Sequence, residues 1–440
     1  MSNVDGVRYD AIVVGLGAMG SAALYQLSRR GKRVLGLEAF APEHQLGSWH
    51  GESRVIRMAY FEHPNYVPLL RRAYELWHEL ERDSGEDLLT ETGGLMIGTP
   101  DSELVSGSLA SARQHGLEHE LLAADEVQLR YPALHLQADE VALWEPRAGF
   151  LRPERCVATF VRAAHAVGAE TRYGEPVRSW QAGAQGVEIQ TDRGRYAADQ
   201  VVIACGARIS SLLGDDIPPI TAERIPLFWM QPSEPDLFAP GRLPIYLWEV
   251  AAGEHFYGFP HIEWPGVKVA RHHSGEVCDP DRVERAVSVE DERLLRSAIA
   301  ERIPALNGPV QSSLVCLYEN SPDGHFLIDR LAKCANVIYA GGFSGHGFKF
   351  ASVVGEILAD LVTRGRATPD ADFLRAERVN ASLLSLRECH PEGGTTEGSI
   401  QLLVVRPKVR ILRRLRMTLT QEHCEGISGE RWQDLVHEQA

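Results

Sequence analysis

A chain of 440 residues is too long for one compact core, so two intimately packed domains are expected, with room to bury a large cofactor. The formal net charge of -15 argues against nucleic acid as a general partner, because phosphate binding needs a basic footprint; an anionic ligand must meet a local basic pocket. The seven cysteines are odd in number and lack CxxC or CxxxC spacing, which disfavours structural zinc and a disulfide framework; no signal-peptide pattern opens the chain and no apolar run approaches the roughly 20 residues that span a bilayer, so a cytoplasmic setting is expected.

In chain order, Tyr9 to Val14 is a short β-branched run, followed by the loop GLGAMG, a helical pattern to Arg30 and a second apolar run from Arg33 to Glu38. From Asn65 to Asp83, Leu69, Leu70, Ala73, Leu76, Trp77 and Leu80 recur at helical spacing and predict an amphipathic helix lying on a sheet. Leu88 to Ile97 reads as strands around a Gly93-Gly94 turn. Pro153 opens a helix through Ala166, and Glu170 to Gly206 alternates as a meander ending in the apolar strand Val201 to Cys205. Ile220 to Tyr318 is strand-rich, with IYLWEV, HFYGFP, VKVARHH and SLVCLY as candidates and one helix near Asp291 to Arg302. The end returns to α/β character, with a strand at Asn336 to Ala340, the loop GGFSGHGFKF and a helix to Thr363. Beyond Asn380, ECHPEGGTTEGS reads as a linker and RPKVRILRRLRM as a basic, apolar-interleaved segment, most simply a solvated helix or loosely ordered tail.

The first β-α-β unit carries a dinucleotide signature. Gly15 allows the tight turn, Gly17 lets the backbone approach a pyrophosphate, and Gly20 allows close helix-strand packing, so the phosphates rest on a helix N-terminus. Glu38 ends the next strand about twenty residues on, placed to accept hydrogen bonds from a ribose diol; a 2′-phosphate would be repelled. These features leave FAD and NAD both open.

Four further blocks, GSWHGESRVIRMAY, HFYGFPHIEWPGVKVARHH, LVCLYENSPDGHFLID and NVIYAGGFSGHGFKFASVVGEI, make the chain resemble the monomeric sarcosine oxidase and N-methyltryptophan oxidase family of D-amino-acid-oxidase-like flavoproteins, over Tyr9 to Asn380. The resemblance implies an α/β chain (α+β overall): a Rossmann-like FAD-binding domain over 1–85, 150–215 and 325–380, packed against an antiparallel or mixed β-sheet substrate domain over 86–149 and 216–324, with 381–440 as an extension. It also implies a monomer.

Residue by residue, the resemblance places Cys316 as the thiolate bonded to the flavin 8-methyl carbon; alone it would read as a buried small hydrophobe. His50 and Arg54 match residues lying against the flavin ring, where positive charge stabilises an anionic flavin. Arg57 and Lys349 match the pair that grips a substrate carboxylate, Lys268 the group that activates oxygen, and His272, Tyr257 and Tyr318 the lining of the substrate cavity. Val177 corresponds to the strand residue whose backbone meets adenine, and Gly342, Ser344 and Gly345, in the loop GGFSGHGFKF, are expected to bind the cofactor. The implied reaction is oxidation of a small N-methyl or cyclic imino amino acid, with hydride transfer giving an imine and dioxygen giving hydrogen peroxide. Trp49 and Met58 stand where sarcosine oxidases carry histidines, and Phe61-Glu62-His63 replaces a smaller, more polar stretch, so the substrate stays open. An NAD-linked dehydrogenase leaves Cys316 and GGFSGHGFKF unexplained; a flavoprotein without activity, serving as a binding module, is the other alternative. Ser344 lies in GFSGH rather than a GxSxG elbow, which disfavours hydrolase chemistry.

Overall fold

A computed structural model describes residues 7–379 apart from 184 and 274; the predicted linker and basic segment lie outside the described residues. Two large sheets and one small one organise the chain. In the eight-stranded sheet, Arg8–Val14 lies between Val34–Leu37 and Arg195–Ile203, parallel to both, which explains why Ala11 to Val14 are apolar on both faces. Glu170–Arg172 extends this sheet parallel to Val34–Leu37, whereas Val177–Gly183, Gly186–Thr191 and Arg195–Ile203 form the antiparallel meander. The alternation from Glu170 therefore concealed two different pairing partners.

Gly15, with φ 88°, turns the chain from the first strand into the helix Ala18–Ser28. A Cβ on Gly20 would overlap the carbonyl oxygen of Gly15, so the helix start can approach the strand only with glycine there. This helix packs between Pro153–Ala166 and Ala351–Arg364.

The nine-stranded sheet is antiparallel except where Ile245–Ala251 runs parallel to Gly94–Gly98. Its centre positions the chemistry. Thr221–Met230 pairs with Val310–Asn320 on one side, setting Ile225 opposite Cys316 and Glu223 opposite Tyr318, and with Val267–His272 on the other, setting Trp229 opposite Lys268. The small sheet joins Arg54–Ile56, Gly149–Leu151 and Leu89–Glu91.

One expectation is overturned, and two details were not foreseen. The strands expected around Gly93-Gly94 form as Leu89–Glu91 and Gly94–Gly98, but in different sheets, because the turn carries the chain from one to the other. The helix Tyr66–Ser84 packs chiefly on Ala351–Arg364 and the turn Phe348–Phe350 rather than on a sheet, with Trp77 Nε1 donating to Lys349 O at 2.9 Å. The helices Glu103–His115 and Ala124–Arg130 were not anticipated; Ser102 caps the first by accepting from Val105 N, and Gly116 ends it in the left-handed region.

Candidate active site

A cavity of about 450 Å³ opens at the C-terminal ends of the parallel strands. Gly15, Gly17, Glu38, Arg54, Val177, Tyr318 and Gly345 line it, as do Ser48, Trp49 and Glu319. The helix Ala18–Ser28 starts at Gly17 with no side-chain cap and no acid in its first turn, leaving its N–H groups to an anion. Glu38 braces this end: its Oε2 accepts from Leu16 N at 2.7 Å and its Oε1 from Phe40 N at 3.1 Å. Gly20, Gly342 and Ser344 do not line the cavity but shape it; Ser344 Oγ donates to Gly342 O at 3.1 Å and accepts from Ser321 N at 3.2 Å. Among the described residues, Ser48 Oγ, Trp49 Nε1, His50 Nδ1 and Glu319 Oε2 are buried polar atoms without a protein partner. Such groups are costly unless a polar ligand meets them, so the donor set fits a dinucleotide.

Beside the cavity, Arg54 Nη2 lies 3.3 Å from Cys316 Sγ and also donates to His50 O. His50 Nε2 lies 3.2 Å from Val315 O. The histidine was expected to bring positive charge, but burial and then the Arg54 guanidinium hold its pKa at about 3. The charge here is the guanidinium's. Lys268 is buried, its Nζ reaching Ser53 O at 2.8 Å, Ser53 Oγ at 3.2 Å and Gly51 O. Burial and Arg54 push its pKa well down, against three oxygen acceptors that suit an ammonium.

Arg57 and Lys349 converge beyond this point. Arg57 is 1% exposed; its Nη1 donates to Ala59 O at 2.7 Å, and its Nη2 faces both carboxylate oxygens of Glu62 at 2.8 Å. Glu62 thus fills the seat expected for a substrate carboxylate, and Arg57, His346 and Lys349 together outweigh burial to lower its pKa. Lys349 donates to His346 O at 2.7 Å and sits over the Tyr60 ring at 5.1 Å; burial and Arg57 lower its pKa to about 7. His272 Nδ1 lies 3.1 Å from Tyr318 OH, and its ring centroid is 6.3 Å from that of Tyr257. Burial, then His273 and His255, drive the His272 pKa well below its ordinary value, while burial raises those of both tyrosines.

Sequence reasoning missed Glu319, 5% exposed at the cavity wall, and the pair of His273 with Glu223, 2.8 Å apart. A signal existed for Glu319: an acid inside an otherwise apolar strand end, immediately after Tyr318. For the pair there was none, since fifty residues separate its members.

The family described as FAD dependent oxidoreductase matches residues 10–361. The monomeric sarcosine oxidase of Streptomyces avermitilis is 48% identical over 378 residues, 85% of this chain and 98% of the relative. The N-methyl-L-tryptophan oxidase of Escherichia coli is 34% identical over 375 residues, 84% of this chain and 100% of the relative. Among solved structures, NikD, an unusual amino acid oxidase essential for nikkomycin biosynthesis, superimposes with a TM-score of 0.74 at 25% identity, covering 84% of this chain and 97% of that one. The dinucleotide is accordingly FAD rather than NAD, and the chain belongs to the FAD-dependent oxidoreductases, in the family of the monomeric sarcosine and N-methyltryptophan oxidases.

Proposed function

We propose that this protein oxidises the C–N bond of a small secondary amino acid, N-methylated or cyclic, and holds its FAD covalently through the sulfur of Cys316. The observation that carries this reading is a run of basic side chains, Arg54, Lys268, Arg57 and Lys349, the last three buried, in a chain of net charge -15, with Cys316 Sγ 3.3 Å from the first of them. Bound FAD supplies the two-electron acceptor, taking hydride from the carbon next to nitrogen and passing the electrons to dioxygen, which leaves as hydrogen peroxide. The Arg54 guanidinium lies 3.3 Å from the Cys316 sulfur, the atom that bonds to carbon on this reading.

The substrate carboxylate takes the place of Glu62 on Arg57 and draws in Lys349, so Glu62 must swing aside as the substrate enters. The two cations then oppose a protonated amine, and a neutral His272 accepts a hydrogen bond from the amine N–H. The nitrogen lone pair is thereby free to assist departure of the hydride and form the imine, which water opens to the amine and carbonyl products where it is acyclic. Lys268 attracts the negative charge gained by oxygen. On this reading the eight-stranded sheet and its helices, drawn from 1–85, 150–215 and 325–380, form the FAD-binding domain, the nine-stranded sheet of 86–149 and 216–324 forms the substrate domain, and the protein works as a cytoplasmic monomer.

Acid precipitation of purified protein tests the attachment. Yellow colour remains in the pellet of the parent chain and moves to the supernatant in Cys316→Ala; colour released from the parent chain defeats the covalent reading. Anaerobic mixing with sarcosine, N-methyl-L-tryptophan and L-pipecolate tests the reaction, since a substrate bleaches the flavin and yields peroxide on admission of air. A flavin that none of the three bleaches defeats the reading of the substrate class.

A further inference from the structure

Of the acidic side chains that line the FAD cavity, Glu38 braces the helix start and Asp281 pairs with Arg208, whereas Glu319 has no part in the proposed reaction. Glu319 lies on Val310–Asn320, three residues after Cys316, with its carboxyl turned toward the segment after Arg195–Ile203. A Cβ built on Gly206 would lie 3.3 Å from Glu319 Oε2 and 4.0 Å from Ser48 Oγ, so both unpartnered oxygens face that glycine across the cavity. The backbone N–H of Phe343 serves the carboxyl, and Oε2 is left for a ligand.

An ionised carboxylate here would face a cofactor that carries two phosphates, in a site where burial already penalises charge. A neutral acid has one O–H to donate to the oxygen-rich nucleotide or ribityl chain. We propose that Glu319 meets bound FAD as an uncharged acid donating a hydrogen bond, so that binding FAD in alkaline solution requires uptake of one proton.

The surroundings agree. Burial raises the Glu319 pKa to about 8. On the facing segment the Cys205 thiol is itself raised to about 12, and Arg208 is engaged by Asp281 at 2.6 Å. On the loop carrying Ser48, His44 lies 3.6 Å from Glu38, and burial lowers its pKa. On the loop after Cys334–Gly341, Phe343 contributes only its N–H, and His346 is turned to Gly324 O at 2.9 Å.

The test uses full-length Cys316→Ala holoprotein, from which FAD can dissociate, with dissociation constants read from flavin fluorescence on dilution between pH 6.5 and 9.5. The constant should be flat to about pH 8 and then rise by up to about tenfold per pH unit, the limit for one linked proton. Cys316→Ala/Glu319→Gln should keep FAD with no such rise, because an amide donates at every pH. The same slope in both variants, or none in Cys316→Ala, overturns the proposal. If the double variant does not fold, calorimetry of Cys316→Ala binding FAD at pH 9 in buffers of different ionisation enthalpy decides: close to one proton taken up supports the proposal and none refutes it. The inference rests on the family's cofactor and not on the thioether; were the parent chain to release its flavin on acid precipitation, the same titration would be run on it directly.

Discussion

Single residues set the ionisation states on which the proposed chemistry depends. Lys349, with a pKa of about 7, is charged below that pH and neutral above it, whereas an exposed lysine keeps its charge up to about pH 10. Affinity for a simple carboxylate without an amine, such as propionate, should therefore weaken by about tenfold as pH rises from 6 to 9, measured by perturbation of the flavin spectrum. In Lys349→Met the profile should be flat and the affinity low throughout. At Lys268, Met keeps the apolar stem over Trp229 and Phe259 but removes the cation, so reoxidation of reduced flavin by dioxygen should slow by about a hundredfold in stopped-flow while anaerobic reduction by substrate changes little. An unchanged oxygen rate would remove Lys268 from its assigned role.

At the scale of elements, the loop after Cys334–Gly341 shows why glycines cluster in GGFSGHGFKF. Gly342 and Gly345 have φ of 66° and 79°, with Ser344 between them at 48°, and a Cβ on Gly345 would run into the Tyr318 ring. Gly345→Ala combines backbone strain with displacement of a cavity-lining ring, and should cost about 2–4 kcal/mol in chemical unfolding and lower FAD occupancy. Cross-strand register matters equally. Cys316 and Lys268 lie far apart in sequence, yet both border Thr221–Met230, and that shared neighbour brings thiol and amine to the same guanidinium, Arg54.

Across the whole molecule, the cavity proposed for FAD lies where the loops of one large sheet meet a strand of the other, since Leu317, Tyr318 and Glu319 line it together with Gly15 and Glu38. Ligand binding across such a junction stabilises the fold by mass action. For Cys316→Ala, free FAD at a hundred times its dissociation constant should add about 2.7 kcal/mol and raise the melting temperature by several degrees, read by calorimetry. A melt insensitive to FAD would place the cofactor outside the folded core. Among the described residues, no helix is long and apolar enough to cross a membrane.

The family and the glycine loop were legible in the sequence, and Arg57, Lys349, Lys268 and Cys316 could be proposed from it, because each belongs to a short contiguous block whose spacing a strand or a helix start preserves. The apolar stripe of Tyr66–Ser84 was likewise readable from its period, although not the surface it covers. Only tertiary structure decided which groups are charged. His50 loses its proton because it is buried against Arg54, Glu62 occupies the seat on Arg57, and Glu319 faces a cavity whose other walls include segments more than a hundred residues away. Ionisation depends on desolvation and on neighbours in space, and the order of residues along a chain fixes neither until the sheets have paired.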